Sequence, residues 1–381
     1  MPRPPHRARV RTYGAAAICV LAVALSCGKA DAGKGKGKDH HPAKRKPHKA
    51  KMRAEPVRLE PKVRGHLGPW SELRYTAGAD EAEDRPAHVR AASAVRQFGP
   101  VLAIGQDDAN FIALRAADGT IAGLPLPRGP GGRRLFGTSI GNKNDKMDIE
   151  AAVVLPDGRF VGFGSGSKEA RRRLVIVTPA HEVRVFDASE LYLALAKRVD
   201  FAGVELNLEG AVIVGRTLRL FQRGNGAPVD GVQALDATID LELDAFVAWI
   251  DGEGPVPALG VSHRYDLGQV GGVRMTFTDA AALPDGRVVF LASAEASPDT
   301  VQDGAVIGCR VGLIDAHGAT SYDVVDAAGA MCRTKLEGIE PIGMRDGALR
   351  FVVVADVDDE AAPALTAELV LPLAALASSQ P

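Results

Sequence analysis

The stretch Asp148-Ile149-Glu150-Ala151-Ala152-Val153-Val154-Leu155-Pro156-Asp157-Gly158-Arg159-Phe160-Val161-Gly162-Phe163-Gly164-Ser165-Gly166-Ser167 decides the fold. An acidic residue opens a hydrophobic strand, Pro-Asp-Gly-Arg makes a tight turn, a second hydrophobic strand answers, and a polar cluster closes the unit. The same order returns from Leu208-Glu209-Gly210 to Gln222-Arg223-Gly224-Asn225-Gly226. It returns again from Asp279 through Leu283-Pro284-Asp285-Gly286-Arg287 to Ser293-Ala294-Glu295, and from Leu336-Glu337-Gly338 through Arg345-Asp346-Gly347 to Asp356, Asp358 and Asp359. A weaker copy without the acidic opener runs from Ser93 to Asn110. The acidic marks at Glu150, Glu209, Asp279 and Glu337 fall 59, 70 and 58 residues apart. A repeat of that length built from short strands is the pattern of a β-propeller, in which one four-stranded blade cannot bury both faces until neighbours stack on it.

The expected fold is therefore all-β: a single β-propeller over 57–381, with five blades preferred and six possible if residues 57–90 form a unit of their own. Otherwise 57–80 should give an outer strand to the last unit and close the circle. The 42 glycines and 24 prolines suit many turns, and Ser189 to Lys197 is the best candidate for a short helix. Asp279 is offset by one residue when the Leu-Pro-Asp-Gly-Arg stretches are aligned, so only a β-bulge would give its side chain the direction of Glu150.

Residues 1–27 read as a signal peptide: Arg3, Arg7, Arg9 and Arg11 precede an apolar run, Gly14 to Leu25, too short for a permanent membrane span. Ala24-Leu25-Ser26-Cys27-Gly28 reads as a lipobox with Cys27 as the lipidation site, and Ala30-Asp31-Ala32 offers an ordinary cleavage site instead. Either places the protein outside the cytoplasm, in the cell envelope if lipid-anchored to a membrane, or secreted. Residues 28–56 are a Lys/Gly/His-rich linker, too polar to pack a core and expected to be a disordered tether. Of 46 basic and 47 acidic residues, 14 and 3 fall in 1–56, which leaves 32 and 44 for the rest. An acidic body excludes nucleic acid as a general partner. Cys309 and Cys332 flank a hairpin and, in an oxidising compartment, are expected to form a disulfide.

In an antiparallel hairpin the start of one strand and the end of the next share an edge. The acidic openers and the closing polar clusters should thus meet at one channel mouth. Glu150, Glu209, Asp279 and Glu337 are the candidate metal ligands. Oxygen donors favour Ca²⁺, with Mg²⁺ second. Asp108, Asn110, Lys146, Ser165, Arg171, Arg223, Asn225, Glu295 and Lys335 are the candidate ligand-binding residues, their basic members suited to a small anionic ligand. The competing reading makes each carboxylate a lock that accepts backbone N–H groups of the next blade. Gly137-Thr138-Ser139-Ile140-Gly141 matches G-x-S-x-G without the strand and helix that a nucleophile elbow needs.

The phrases Asp107-Asp108-Ala109-Asn110-Phe111, Asp148-Ile149-Glu150-Ala151, Leu208-Glu209-Gly210, Gln222-Arg223-Gly224-Asn225-Gly226, Thr278-Asp279-Ala280-Ala281 and Lys335-Leu336-Glu337-Gly338 resemble an uncharacterised family of exported bacterial β-propeller proteins, over residues 90–375. Glu209-Gly210 and Glu337-Gly338 are more distantly similar to the esterase-like domain of phytase-type proteins. The first resemblance implies the propeller fold; the second implies a phosphoester or ester hydrolase, often calcium-dependent. The functional expectation is an exported propeller that binds or hydrolyses a small anionic ligand with a divalent cation. The alternative is a non-enzymatic scaffold that presents a surface to a protein or a saccharide.

Overall fold

The computed structural model describes residues 53–225, 228–296 and 304–372. Cys27, both cleavage sites and almost all of the linker lie outside them. The chain is an all-β, multi-bladed, propeller-like fold. Its units are antiparallel meanders: Ala92–Phe98 through Ile121–Pro125, Ile149–Val154 through Val183–Asp187, Leu208–Val214 through Ser262–Asp266, Val273–Ala282 through Gly318–Val325, and Lys335–Arg345 through Leu365–Pro372. The first strand of each unit packs on the first strand of the next, and Lys335–Arg345 packs on Ala92–Phe98, so these inner strands close a ring.

The N-terminal segment does more than complete the last unit. Glu55–Pro56 pairs in parallel with Ser262–Asp266, and Arg58–Leu67 pairs in parallel with Gly318–Val325. His66 and Leu67 then pair with Leu369 and Val370, and Ser71–Glu72 with Leu365 and Thr366. The last unit, with three strands of its own, gains its outer edge from a segment that also ties down the third and fourth units. Such a seam covers edges that would otherwise present unpaired backbone groups.

The repeated turns form as their residues dictate. Leu155 N donates to Arg159 O at 2.8 Å and Leu283 N to Arg287 O at 2.8 Å, with Gly158 and Gly286 at φ near +87° and +86°. A side chain at either glycine would be strained there. Alternating apolar residues of adjoining units fill the space between the sheets. Phe277, for instance, meets Phe221, Phe290 and Tyr265 edge-on at ring separations of 5.2, 5.2 and 5.6 Å. Ser189–Ala196 is the expected helix; Leu243–Ile250 is a second, capped by Glu242, whose side chain accepts from Ala245 N.

Each inner strand carries one extra residue, near its start in four of them and midway along Val273–Ala282. The register slips between Ala92 and Ala94, Ile149 and Ala151, Leu208 and Gly210, Phe277 and Asp279, and Leu336 and Gly338. The bulged residues are thus Ser93, Glu150, Glu209, Thr278 and Glu337. This corrects one expectation: the counterpart of Glu150 in the fourth unit is Thr278. A bulge is present there, but it does not turn Asp279 toward the mouth.

Two positions past each bulge lies a carbonyl that accepts from Arg96. Its Nε donates to Ala152 O (2.6 Å), Nη1 to Val95 O (2.6 Å) and Ile339 O (3.1 Å), and Nη2 to Ala211 O (3.3 Å) and Ala280 O (2.7 Å). Both Nη atoms also reach the Asp279 carboxylate, at 3.0 and 2.8 Å, and Asp279 accepts in addition from Ile339 N at 2.9 Å. One guanidinium therefore binds every inner strand, and Asp279, 0% exposed, is its counter-ion. Asp279 is a lock of the ring. It is not part of the mouth.

Candidate functional site

The bulges place Glu150 and Glu209 in the wall of a funnel of about 730 Å³, which Asp108, Lys146, Arg171, Arg223, Asn225, Glu295 and Lys335 also line. Asn225, Gly224 and Arg223 enter from the loop after Thr217–Gln222, as the antiparallel geometry requires. Glu337 sits beneath Lys335, 4% exposed. Two expected ligand-binding residues stand apart. Asn110 is buried, donates to Pro127 O at 2.9 Å and holds a loop together; Ser165 is fully buried and donates to the Asp148 carboxylate.

Crowded carboxylates are met here by basic side chains. Lys146, 3% exposed, places Nζ against Asp107, at 3.0 Å from Asp108 Oδ1 and at 2.9 Å from Asp148 Oδ1. Arg171 Nη1 lies 2.7 Å from Asp148 Oδ2. Arg223 bridges Glu209 Oε1 (3.4 Å) and Glu295 Oε2 (2.7 Å), and Asn207 Nδ2 adds a 2.7 Å bond to Glu209. Lys335 Nζ pairs with Glu337 Oε1 at 2.9 Å. Glu150 is the exception: no described residue donates a hydrogen bond to it. Asp107 Oδ1 and Glu337 Oε2 are likewise buried without a hydrogen-bond partner among the described residues, although the Lys146 ammonium lies against the former.

Titration follows from these contacts. Burial, joined by the charges of Asp107, Glu209, Asp148 and Glu337, pushes Glu150 well above the usual carboxylate range. Burial likewise pushes Glu209 up to about 8, against the pull of Arg223 and with the help of Glu337. Asp107 is raised well above its ordinary value by burial, even with Lys146 beside it. Asp148 goes the other way: burial opposes ionisation, but Lys146, Asp107, Arg171 and Ser165 together hold it below the ordinary value. Asp148 also adopts φ of +59°, a conformation that aspartate tolerates better than most side chains.

A pH dependence follows. Glu209 binds its proton more tightly folded than unfolded, so its contribution is fully present below the unfolded value near 4.5 and is lost as pH rises through about 8. Metal-free protein should therefore lose stability between pH 5 and 8, by at most about 1.4 kcal/mol per pH unit for each such proton. Glu209→Gln should flatten the slope in thermal melts taken across that window; an unchanged slope would remove Glu209 as its source.

Asp107, Asp148 and Glu150 each offer an oxygen within 4.8 Å of the others, a buried acidic cluster capable of coordinating a divalent cation. Asp107 and Asp148 had stood in the quoted phrases without being singled out. Their signal was adjacency to Asp108 and Glu150 at the same strand ends. Cys309 and Cys332 are both buried and are free thiols here; each donates to Thr334 O, at 3.1 and 3.5 Å, so the expected bridge is absent from the structure.

A family model, described as a family of unknown function (DUF6929), matches residues 88–371. The chain belongs to that family. This agrees with the resemblance to an uncharacterised propeller family and brings no reaction with it. No curated protein matches the chain. Among solved structures the chain is similar to the virginiamycin B lyase from Staphylococcus aureus, at 10% identity over 80% of this chain and 99% of that one, with a TM-score of 0.36. It is also similar to a gluconolactonase from Xanthomonas campestris (12% identity, 80% and 98% covered, TM-score 0.35). A thermostable family-43 glycoside hydrolase gives 11% identity, 74% and 90% covered, and a TM-score of 0.39. No activity passes to this chain at such identities.

Proposed function

We propose that this is an exported, five-bladed propeller, lipid-anchored through Cys27, whose funnel binds or hydrolyses a small anionic ester or phosphoester with the help of a divalent cation. The five inner strands that meet Arg96 support the blade count. Export and anchoring rest on the N-terminal sequence. The observation that carries the functional reading is the carboxylate of Glu150, without a described donor, within 4.8 Å of oxygens of Asp107 and Asp148 in the wall of the funnel. Hard oxygen donors suit Ca²⁺ before Mg²⁺. Glu337 Oε2, buried without a hydrogen-bond partner among the described residues, is further reason to place a cation at that level. Bound there, it would offset the charge of the acids and polarise a phosphoryl or carbonyl oxygen, while Arg223, Arg171 and Lys335 orient the ligand. The distant likeness of Glu209-Gly210 and Glu337-Gly338 to esterase-like domains points to the same chemistry.

One observation favours the scaffold reading instead. Lys146 already supplies a positive charge to Asp107, Asp108 and Asp148. The two readings part in an assay with p-nitrophenyl phosphate and p-nitrophenyl acetate as probes. Metal-stripped protein given Ca²⁺ should cleave one of them, and chelator should abolish turnover. Absence of turnover with either probe, together with unchanged stability on adding Ca²⁺, would favour the scaffold.

A further inference from the structure

The turn Gly137-Thr138-Ser139 matches no nucleophile elbow, yet it converges three donors on one carboxylate. Glu360 Oε1 accepts from Thr138 N at 2.6 Å and from Ser139 N at 3.3 Å, and Oε2 accepts from Ser139 Oγ. Gly137 is required for this approach, because a Cβ there would lie 2.6 Å from Cδ, Oε1 and Oε2 of Glu360. The turn is also built without Glu360. Gly137 N donates to Asn142 Oδ1 (3.0 Å), Asn142 N to Gly137 O (3.3 Å), Gly141 N to Thr138 O (3.2 Å) and Asn142 Nδ2 to Leu135 O (2.9 Å). The segment that carries Glu360 is organised separately, by Asp358 N on Asp356 Oδ1 and Ala361 N on Asp359 Oδ1. Two loops, both in the funnel wall, thus meet at the Glu360 carboxylate at the rim.

Deeper in the funnel Lys146, Arg171, Arg223 and Lys335 each already face an acid. At the rim, by contrast, neutral N–H and O–H donors hold a partially exposed carboxylate that can be exchanged for another oxyanion at little desolvation cost.

The geometry points to Gly137–Ser139 as an oxyanion-binding subsite, for a carboxylate or a phosphate of the ligand, held closed by Glu360 as a built-in competitor until the ligand displaces it. This rests on the reading of the funnel as a site for a small anionic ligand and deepens it: the anion is received at the rim, and the cation below. In keeping with that role, Ser139 hydrogen bonds hold the Glu360 carboxyl below its ordinary range, ionised at neutral pH.

The test uses Glu360→Ala with inorganic phosphate and acetate as separate probes in calorimetric titrations. If the clasp leaves the subsite open in about a tenth of molecules, its removal should tighten binding of at least one probe about tenfold. Whichever probe gains identifies the oxyanion. In Glu360→Ala with Gly137→Ala, the added methyl occupies the place of the anion and the gain should vanish. Equal affinities in wild type and Glu360→Ala, or a gain retained in the double variant, would overturn the subsite. Stabilisation by Ca²⁺, measured on the same proteins, separates the failures: its presence without a phosphate or acetate gain sinks the clasp alone, and its absence in wild type sinks the underlying reading of the funnel.

Discussion

Arg96→Met should lower the stability of the protein by about 3–5 kcal/mol, because it leaves Asp279 as an uncompensated buried charge. For a ring of this size that corresponds to a fall in melting temperature on the order of 10 °C. The cost exceeds that of an ordinary ion pair, since the same guanidinium binds carbonyls of Val95, Ala152, Ala211, Ala280 and Ile339. Arg96→Met combined with Asp279→Leu removes both charges and should be less destabilised than the single variant, as replacement of a whole buried pair is often tolerated. A single variant that melts within 1–2 °C of the parent would show that the axial guanidinium holds nothing together. No change in ligand affinity is needed for this effect, which distinguishes it from changes at the mouth.

The propeller was legible because each unit repeats a physical necessity. A Pro-Asp-Gly-Arg turn between two apolar strands can be little else, and Leu155 to Arg159 and Leu283 to Arg287 adopt the same bonds. Lys146, Arg171, Arg223 and Lys335 lie close in sequence to the acids at the same strand ends, and the structure pairs them with Asp148, Glu209 and Glu337. What could not be read was side-chain direction next to a bulge. One extra residue inverts the alternation, so Thr278, not Asp279, stands with Glu150, Glu209 and Glu337. The same parity hides Arg96. It lies in the weakest repeat, where Ser93 replaces glutamate, and nothing local marks its side chain as axial. Asn110 failed for a related reason: a polar residue at a strand end can face the funnel or secure its own loop, and here it bonds Pro127. Glu360 contacts the turn at 137–139 across more than two hundred residues, a distance that no repeat pattern spans.

Ca²⁺ should raise the melting temperature of metal-stripped protein, and Glu150→Gln should abolish the rise. At a free concentration one hundred times the dissociation constant, binding to the folded state adds about 2.7 kcal/mol. Glu150 is the decisive residue because Asp107 and Asp148 are ion-paired with Lys146, whereas no described residue donates a hydrogen bond to Glu150. In the absence of metal, Glu150→Gln should instead be as stable as the parent or more so, since it removes a carboxylate that burial and four acidic neighbours make costly to ionise. The variant thus reverses the order of the two proteins: the parent is the more stable with calcium and the less stable, or equal, without it. A structural lock would behave otherwise, with Glu150→Gln destabilised in both conditions.

Calorimetric titration of Ca²⁺ into metal-stripped wild-type protein and into Glu150→Gln decides whether Glu150 holds a cation in the funnel. The wild type should give a saturable isotherm with one site and the variant none. A flat wild-type isotherm, or equal binding by both proteins, would contradict a cation site at Glu150.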